Sequence, residues 1–268
     1  MSAAGAPLHL GGRSRLREWW NWARPGLEDL TKVLTAVSII GTGVRFYAEA
    51  DDRTRDLLYK EWEEVRGPAT QGRNGARDHA LADLARRKVS LENLDLQAAT
   101  MDGISLRGAI LNRSRFDHAE LKGADFGCQG TRCTQLTHAR LPGAVLTGAR
   151  LEGANMSNAV LEGAVLLNAC LRGATLRRAH LSGAVLDSTN LAFADLREAD
   201  LEGISNTWRT ITDMRGSNIW GVENAPPGFV SWARDKMGAV EEYTDSGWQA
   251  ATRSKSPPPS CQAPQGAK

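Results

Sequence analysis

The sequence has few cysteines, few aromatic residues and no excess of one charge. Its 268 residues include four cysteines, a number that does not suggest a disulfide framework, so we expect a reducing cytoplasm. No cleavable signal peptide is recognisable at the start, which fits the same expectation. The formal net charge is +2, which neither favours nor excludes a nucleic-acid partner.

Long hydrophobic runs are missing as well. Between Lys32 and Arg45 lie only twelve uncharged residues, whereas a membrane-spanning helix needs about 20 apolar residues. Tryptophans are typical of membrane interfaces, and three of them, Trp19, Trp20 and Trp22, precede this run. Two interpretations of residues 16–50 therefore stay open. The segment is either membrane-associated or a helix that packs on another domain or pairs with itself.

Catalytic signatures are absent too. We recognise no Ser–His–Asp arrangement, no phosphate-binding glycine loop at a strand–helix junction and no carboxylate pair in a pocket. The sequence therefore predicts no catalytic residue, no cofactor and no enzymatic activity.

A five-residue period dominates residues 89–203. From Leu91 onward every fifth residue is leucine, phenylalanine or methionine, and a small residue, mostly alanine, lies two positions earlier; only Thr131 interrupts the leucine column. A period of five fits neither a helix nor an alternating strand. It indicates a stacked array whose units bury their apolar residues against their neighbours. Glycine often follows the leucine by two positions, as at Gly103 and Gly143, and fits a tight turn at each corner.

This pattern resembles the pentapeptide-repeat family, whose consensus is A(D/N)LXX. The segments Ala194–Glu198 and Ala199–Gly203 match that consensus closely. The resemblance implies a mainly β fold, a right-handed quadrilateral β-helix with four pentads per coil. Residues 89–203 would then form nearly six coils and a rod about 27 Å long, at about 4.8 Å per coil.

The outer positions depart from the consensus. The residue before each leucine is often Asp or Asn in the family, but here many of these positions hold other residues. They include Val145, Val160, Val165, Arg140, Arg150 and Thr175. We therefore expect an outer surface that is specific to this protein.

Helical segments are predicted before the repeat. Residues 1–25 are predicted to be a disordered, tryptophan-rich N-terminal segment, and residues 26–88 a helical region. A long helix over about 26–66 has the heptad spacing typical of a coiled coil. A shorter helix over about 76–87 would cap the first coil. The region that leads into Val89–Leu96 resembles a bacterial subgroup of the family.

After the repeat the period fades. Ile204 and Ile211 are the last residues that we expect to point inward. Residues 204–250 are predicted to form a C-terminal cap with a short helix over about 228–238, and 251–268 a disordered tail. All eight tryptophans lie outside 89–203, which indicates that the flanks have their own packing or interface chemistry.

Cysteine and histidine residues in the middle of the repeat are candidates for a metal site. His118 and His138 are twenty residues apart, which would place them at one corner about 5 Å apart, but Cys128 would lie at another corner. Because the spacing matches no standard zinc motif, we predict no metal. Cys128 and Cys133 are interpreted as small thiols that fill space in a distorted coil.

The charges of the repeat are mixed. Residues 89–203 carry 11 basic and 13 acidic side chains, and Glu152 is expected to stack between Arg132 and Arg172. Such alternation favours a solvated, mutually neutralising face over a nucleic-acid site.

These observations predict a non-enzymatic protein-interaction scaffold with an unknown protein partner, and with self-association through the N-terminal helix as a further expectation. One alternative is a membrane-tethered module anchored through residues 16–50, in place of a purely cytoplasmic protein. Another follows from the resemblance, because some family members mimic DNA and protect gyrase from quinolones. That mimicry needs a strongly acidic rod, whereas residues 89–203 carry 13 acidic against 11 basic side chains, a net charge of −2.

Overall fold

The structure is a computed structural model that describes residues 74–204 and 208–253. The predicted lead over 1–25, the long helix over 26–66 and the candidate membrane segment over 16–50 lie outside the described residues, as does all but the start of the predicted tail. Within the described ranges, no helix has both the length and the apolar character needed to cross a membrane.

Parallel backbone pairing at a regular interval builds the repeat. Single residues pair with the residue twenty positions further on, so four five-residue units complete one coil. Only one residue per side pairs in each coil, which explains why long strands do not form. The four ladders begin with the pairs Ser90–Ile110, Asp95–Arg115, Thr100–Glu120 and Ser105–Asp125. These ladders are the four sides of a β-helix.

Two inward positions in each unit fill the interior. The leucine column and the alanine column are almost completely buried, as Leu161 and Ala164 show with 0% exposure. Phe116 and Phe126 replace leucine in the second coil, where their rings meet edge to face with centroids 6.1 Å apart. Apolar burial of this kind is the main favourable term in folding, so the two columns carry most of the stability of the rod.

The corners require left-handed backbone at the second residue after each leucine. Gly103 has φ of +72° and Ala98 has φ of +51°, so the corner conformation is the same whether or not glycine occupies it. A side chain in this region is disfavoured by about 1–2 kcal/mol. The prediction that glycine serves the turns is confirmed, and non-glycine corners are tolerated at a cost.

A helix precedes the first coil. Helix α1 spans Asn74–Arg86, close to the predicted range of 76–87. Its buried residues include Leu81 and Leu84, and the Leu84 carbonyl oxygen accepts a hydrogen bond from the Val89 amide at 3.0 Å. The Arg77 guanidinium donates to the Asp95 carbonyl oxygen at 3.4 Å, which ties the helix to the first coil.

The coil continues beyond Gly203, so the expectation that the inward residues end with Ile204 and Ile211 is wrong. Asn190 pairs with Asp213, and the equivalent pairs on the next two sides follow at the same interval of 23 residues. Met214 and Ile219 occupy the positions of the leucine column in this further coil, and both are buried. Three extra residues shift the phase of the period, which is why it fades in the sequence.

The side that begins at Ser90 is the longest ladder. It has eight levels and ends where Asn218 pairs with Val240. Seven steps of about 4.8 Å give about 34 Å along the axis, longer than the 27 Å that the sequence predicted.

Aromatic residues close the far end. A 3₁₀ turn spans Trp208–Thr210, and helix α2 spans Phe229–Met237, where a helix over 228–238 was predicted. The Trp208 ring meets Phe229 and Trp232 edge to face, with centroids 5.5 and 4.9 Å apart. Trp208 and Phe229 are buried, so they extend the apolar interior past the last leucine.

A third helix, which the sequence analysis missed, follows on the outside of the coil. Helix α3 spans Asp245–Thr252, and the Thr244 hydroxyl caps it by accepting from the Gly247 amide. The signal was present, because threonine followed by aspartate is a common helix start. The Trp248 indole donates to the Gly216 carbonyl oxygen at 2.7 Å, which fixes the helix to the last coil.

Arg197 connects this helix to the side of the rod. Its side chain is 3% exposed and forms ion pairs with Asp195 at 2.5 Å and with Asp245 at 2.6 Å. It also donates to the Tyr243 carbonyl oxygen at 3.0 Å. The hydrogen bond to Asp195 raises the pKa of Arg197 above its usual value, so the guanidinium stays charged at every accessible pH.

Two opposite substitutions test the corner conformation. Ala98→Gly should raise the free energy of unfolding by about 1 kcal/mol, because glycine removes the left-handed strain at an exposed position. Gly103→Ala should lower it by about 1 kcal/mol, since nothing lies within 4 Å of the added methyl group and only the backbone resists. Urea denaturation measures both, and a shift of the same sign in the two variants would refute the explanation.

Removing the cation of Arg197 tests the buried ion pair. Arg197→Met leaves the Asp195 carboxylate, whose side chain is 6% exposed, without its partner and should lower the free energy of unfolding by about 3–5 kcal/mol. Arg215→Met is the matched control, because Arg215 pairs with Asp213 at the same relative positions but is 55% exposed. The control should change stability by less than about 1 kcal/mol; equal losses would contradict the role of burial.

Candidate functional site

One side of the β-helix carries an uncharged patch. Val145, Val165 and Val185 pair in succession on the side that begins at Thr100, and each is half-buried. The neighbouring positions of two coils hold Thr147 and Leu167, which are also half-buried. We call these five residues the valine panel. Valine at the first two of these positions was noted in the sequence, but only the pairing shows that they form one continuous row.

Charged residues border the panel. In the preceding coils Lys122 pairs with Glu120 at 3.2 Å and lies 3.9 Å from Asp102. Across the adjoining corner Glu162 is exposed. The panel therefore has an apolar centre and a charged margin.

On other sides of the β-helix, acidic and basic side chains alternate, and one of the two predicted contacts of Glu152 is present. Glu152 accepts from Arg150 at 3.3 Å and lies 3.8 Å from Arg172. The predicted contact with Arg172 is confirmed, but the expected contact with Arg132 is wrong, because Arg132 lies in an inserted hairpin. These ion pairs neutralise one another along the ladder.

Two carboxylates near the far end are held in their charged form. A hydrogen bond from Arg178, at 2.6 Å, lowers the pKa of Glu198. Burial acts to raise the pKa of Asp200, but hydrogen bonds from Asn224 and Ser182 outweigh it, so the pKa of Asp200 is lowered overall. Both groups act as fixed negative charges near neutral pH and not as proton donors.

An inserted hairpin interrupts the regular coils. Strands β1, Cys128–Gln129, and β2, Arg132–Cys133, pair antiparallel. The coil pairing interval rises to 25 residues across this point, as in Ile110–Gln135, because one five-residue unit leaves the coil. Thr131, which broke the leucine column in the sequence, lies at the exposed tip.

Thr134 anchors the hairpin. This residue takes the place of an alanine in the small-residue column and is completely buried. Its hydroxyl oxygen lies 3.0 Å from the carbonyl oxygens of both Leu106 and Gly127, which share its single proton, and it accepts from the Gly108 amide at 2.9 Å. The hydroxyl therefore joins the start of the hairpin at Gly127 to the preceding coil.

Cys128 and Cys133 form a disulfide bond, so the expectation of thiols that merely fill space is wrong. The antiparallel register places the two residues directly opposite each other, with Cα atoms 3.8 Å apart. The sequence analysis missed the bond because it kept both residues in the coil, where they would occupy different corners.

The predicted stacking of His118 on His138 is also wrong. The His118 amide donates to the Pro142 carbonyl oxygen at 2.9 Å, and the His118 ring lies over Gly143. His138 instead pairs with Ser157 in the next coil, through a 3.0 Å hydrogen bond. The five-residue insertion separates the two histidines. Within residues 74–204 and 208–253, no group of three or more His, Cys, Asp or Glu side chains could hold a metal ion.

Comparisons with solved structures find several pentapeptide-repeat proteins. One, from the thylakoid lumen of Arabidopsis thaliana, is 24% identical, with a TM-score of 0.34, and the match covers 51% of this chain and 88% of that one. The protein HetL of Nostoc sp. strain PCC 7120, involved in heterocyst differentiation regulation, is 23% identical, with a TM-score of 0.26 and coverage of 60% and 90%. A plasmid-mediated fluoroquinolone resistance protein is 15% identical, with a TM-score of 0.17 and coverage of 63% and 97%.

Among curated proteins the chain has no match. The sequence pattern described as pentapeptide repeats matches in eight copies, over residues 90–127, 132–168 and 168–203. The pattern breaks between 127 and 132, where the hairpin leaves the coil, and the matched ranges cover the paired coils from Ser90 to Asp200. Residues 90–203 therefore belong to the pentapeptide-repeat family, and their fold is its right-handed β-helix.

Proposed function

We propose that this chain is a non-enzymatic interaction scaffold that binds a protein partner across the valine panel. The observation that carries the proposal is the distribution of side chains. The columns that point inward are buried leucine and alanine, so recognition has to use the outer positions. Among these, the panel joins the half-buried valine side chains of three successive coils into one row.

The composition of the panel and its margin suits a protein interface. Such interfaces have an apolar centre from which charges are depleted and a polar, solvated rim. Val165 lies at the centre, and Lys122 and Glu162 lie at the margin. A specific interface covers about 800 Å² on each partner, more than five half-buried side chains supply, so the charged rim takes part in binding.

A rigid backbone beneath the valine panel favours binding of a partner there. The amides of Val165 and Val185 each donate to a carbonyl oxygen of the preceding coil at 2.9 Å. The outward side chains are therefore spaced before a partner arrives, and binding does not have to order the backbone. Preorganisation of this kind lowers the entropic cost of association.

DNA mimicry is supported less well. A mimic of the duplex needs a long run of negative charge, whereas the pairs Arg150–Glu152 and Arg140–Asp117 place guanidinium groups among the carboxylates. The purified chain is expected to leave DNA supercoiling by gyrase unchanged. Concentration-dependent inhibition would establish the gyrase-binding alternative instead. Tethering or self-association through the N-terminal segment remains a separate prediction for residues 16–50.

Photocrosslinking in cells tests the panel. A benzophenone amino acid at position 165 should give a discrete crosslinked product, which should fall at least tenfold when Val145→Glu and Val185→Glu place charges beside it. The matched control is Thr175→Glu, a charge at the same relative position on another side. It should leave the product unchanged.

Two outcomes would count against the proposal. Equal crosslinking from position 165 and from position 157, on another side, would show that no side is selected. Loss of the product in the Thr175→Glu control would show that any added charge disrupts it. A product of twice the chain mass would identify the partner as a second copy.

A further inference from the structure

We propose that Cys128 and Cys133 form a reversible thiol–disulfide site, which exchanges with a small disulfide of the glutathione class and controls the order of the hairpin tip. The tip is residues 129–132. This inference does not depend on the interaction function, because it concerns the chemistry of the hairpin itself.

The hairpin depends on the disulfide for its order. Each strand has two residues, and a two-stranded hairpin is marginally stable at best without further packing. Its base is fixed independently, because Arg107 donates to the Cys128 carbonyl oxygen at 2.6 and 3.0 Å. The residues beyond the base, Gln129, Gly130 and Thr131, are exposed. Breaking the disulfide therefore frees the tip while the base stays in place.

The site accommodates both redox states. The Cys128 sulfur lies 3.3 Å from the Glu152 carbonyl oxygen, so after reduction its thiol has an acceptor already in position. Gly153 lies beneath both sulfurs, and a Cβ there would be 2.7 Å from the Cys128 sulfur and 3.1 Å from the Cys133 sulfur. The rigid coil keeps this space open whether or not the sulfurs are bonded, so reduction and oxidation require no rearrangement of the rod.

The two cysteines can be reached from solvent. Both are half-buried and lie at the foot of an exposed turn, whereas Cys170 is 5% exposed. Exchange needs an attacking thiolate to approach a sulfur, so the hairpin pair is the more accessible one.

The reaction balances without any further reactant. The thiolate of one cysteine attacks a sulfur of the external disulfide RSSR, forms a mixed disulfide and releases RS⁻. The second cysteine, as thiolate, attacks the protein sulfur of that mixed disulfide, closes the Cys128–Cys133 bond and releases the second RS⁻. Two electrons pass from the protein pair to RSSR, and the two thiol protons are taken up by the released thiolates. Two molecules of RSH reverse the sequence through the same intermediate.

Trypsin cleavage after Arg132 reports on the tip. The full chain is equilibrated with reduced or oxidised glutathione, free thiols are blocked with iodoacetamide, and cleavage between Arg132 and Cys133 is followed by mass spectrometry. We expect cleavage at least tenfold faster in the reduced sample. The blocked positions in the same spectra show which cysteines were reduced.

One double variant is the control. Cys128→Ser, Cys133→Ser should be cleaved at the reduced rate in both buffers. The proposal is overturned if the bond persists at every ratio of reduced to oxidised glutathione, since it would then be a permanent crosslink. It is also overturned if cleavage of the wild-type chain is equally fast in both buffers.

Discussion

Hydrogen bonding between successive coils is the constraint on which the rest of the structure depends. Each coil satisfies its backbone through the next, as when the Leu161 amide donates to the His180 carbonyl oxygen at 2.7 Å. This requires the same number of paired residues in every coil, so the inward columns must recur in step. The requirement explains leucine and alanine at fixed intervals inside, and it leaves the outer positions free to carry valine, arginine or glutamate.

The chain accepts extra residues at two places. One five-residue unit after Gly127 folds outward as a hairpin, and the pairing interval rises to 23 residues before Met214, beside the turn that carries Trp208. In both places a residue other than alanine or leucine completes the interior. The Thr134 hydroxyl bonds to buried backbone groups, and the Trp208 ring fills the end of the core. Three of the four ladders continue past both interruptions, and Val145, Val165 and Val185 lie between the two interruptions, where the interval stays at twenty residues.

The five-residue period was enough to predict a stacked array with buried columns, because apolar spacing determines which side chains point inward. The β-helix followed from the family that this period resembles, and the helix before it from its own apolar spacing. It was not enough to predict which residues of different coils are neighbours. That depends on whether the unit around Thr131 is counted in the coil, and counting it there placed His118 beside His138, Arg132 beside Glu152 and the two cysteines at different corners. Helix α3 has a local start signal at Thr244 that was overlooked, and the contacts that hold the helix, such as Arg197 with Asp245, join residues far apart in sequence.

The hairpin disulfide is compatible with only one of two ways in which this chain could wind into coils. If residues 128–132 entered the coil, every unit after them would still present leucine and alanine inward, but each would move forward by one side, a quarter turn. Cys128 and Cys133 would then occupy successive corners, separated by a side of about three extended residues, or about 10 Å. A disulfide joins Cα atoms that lie less than about 7 Å apart, so the bond is incompatible with the shifted threading. The covalent link is therefore compatible with one rotational register of the coils that follow it, and Arg107 and Thr134 hold the same register when the bond is reduced.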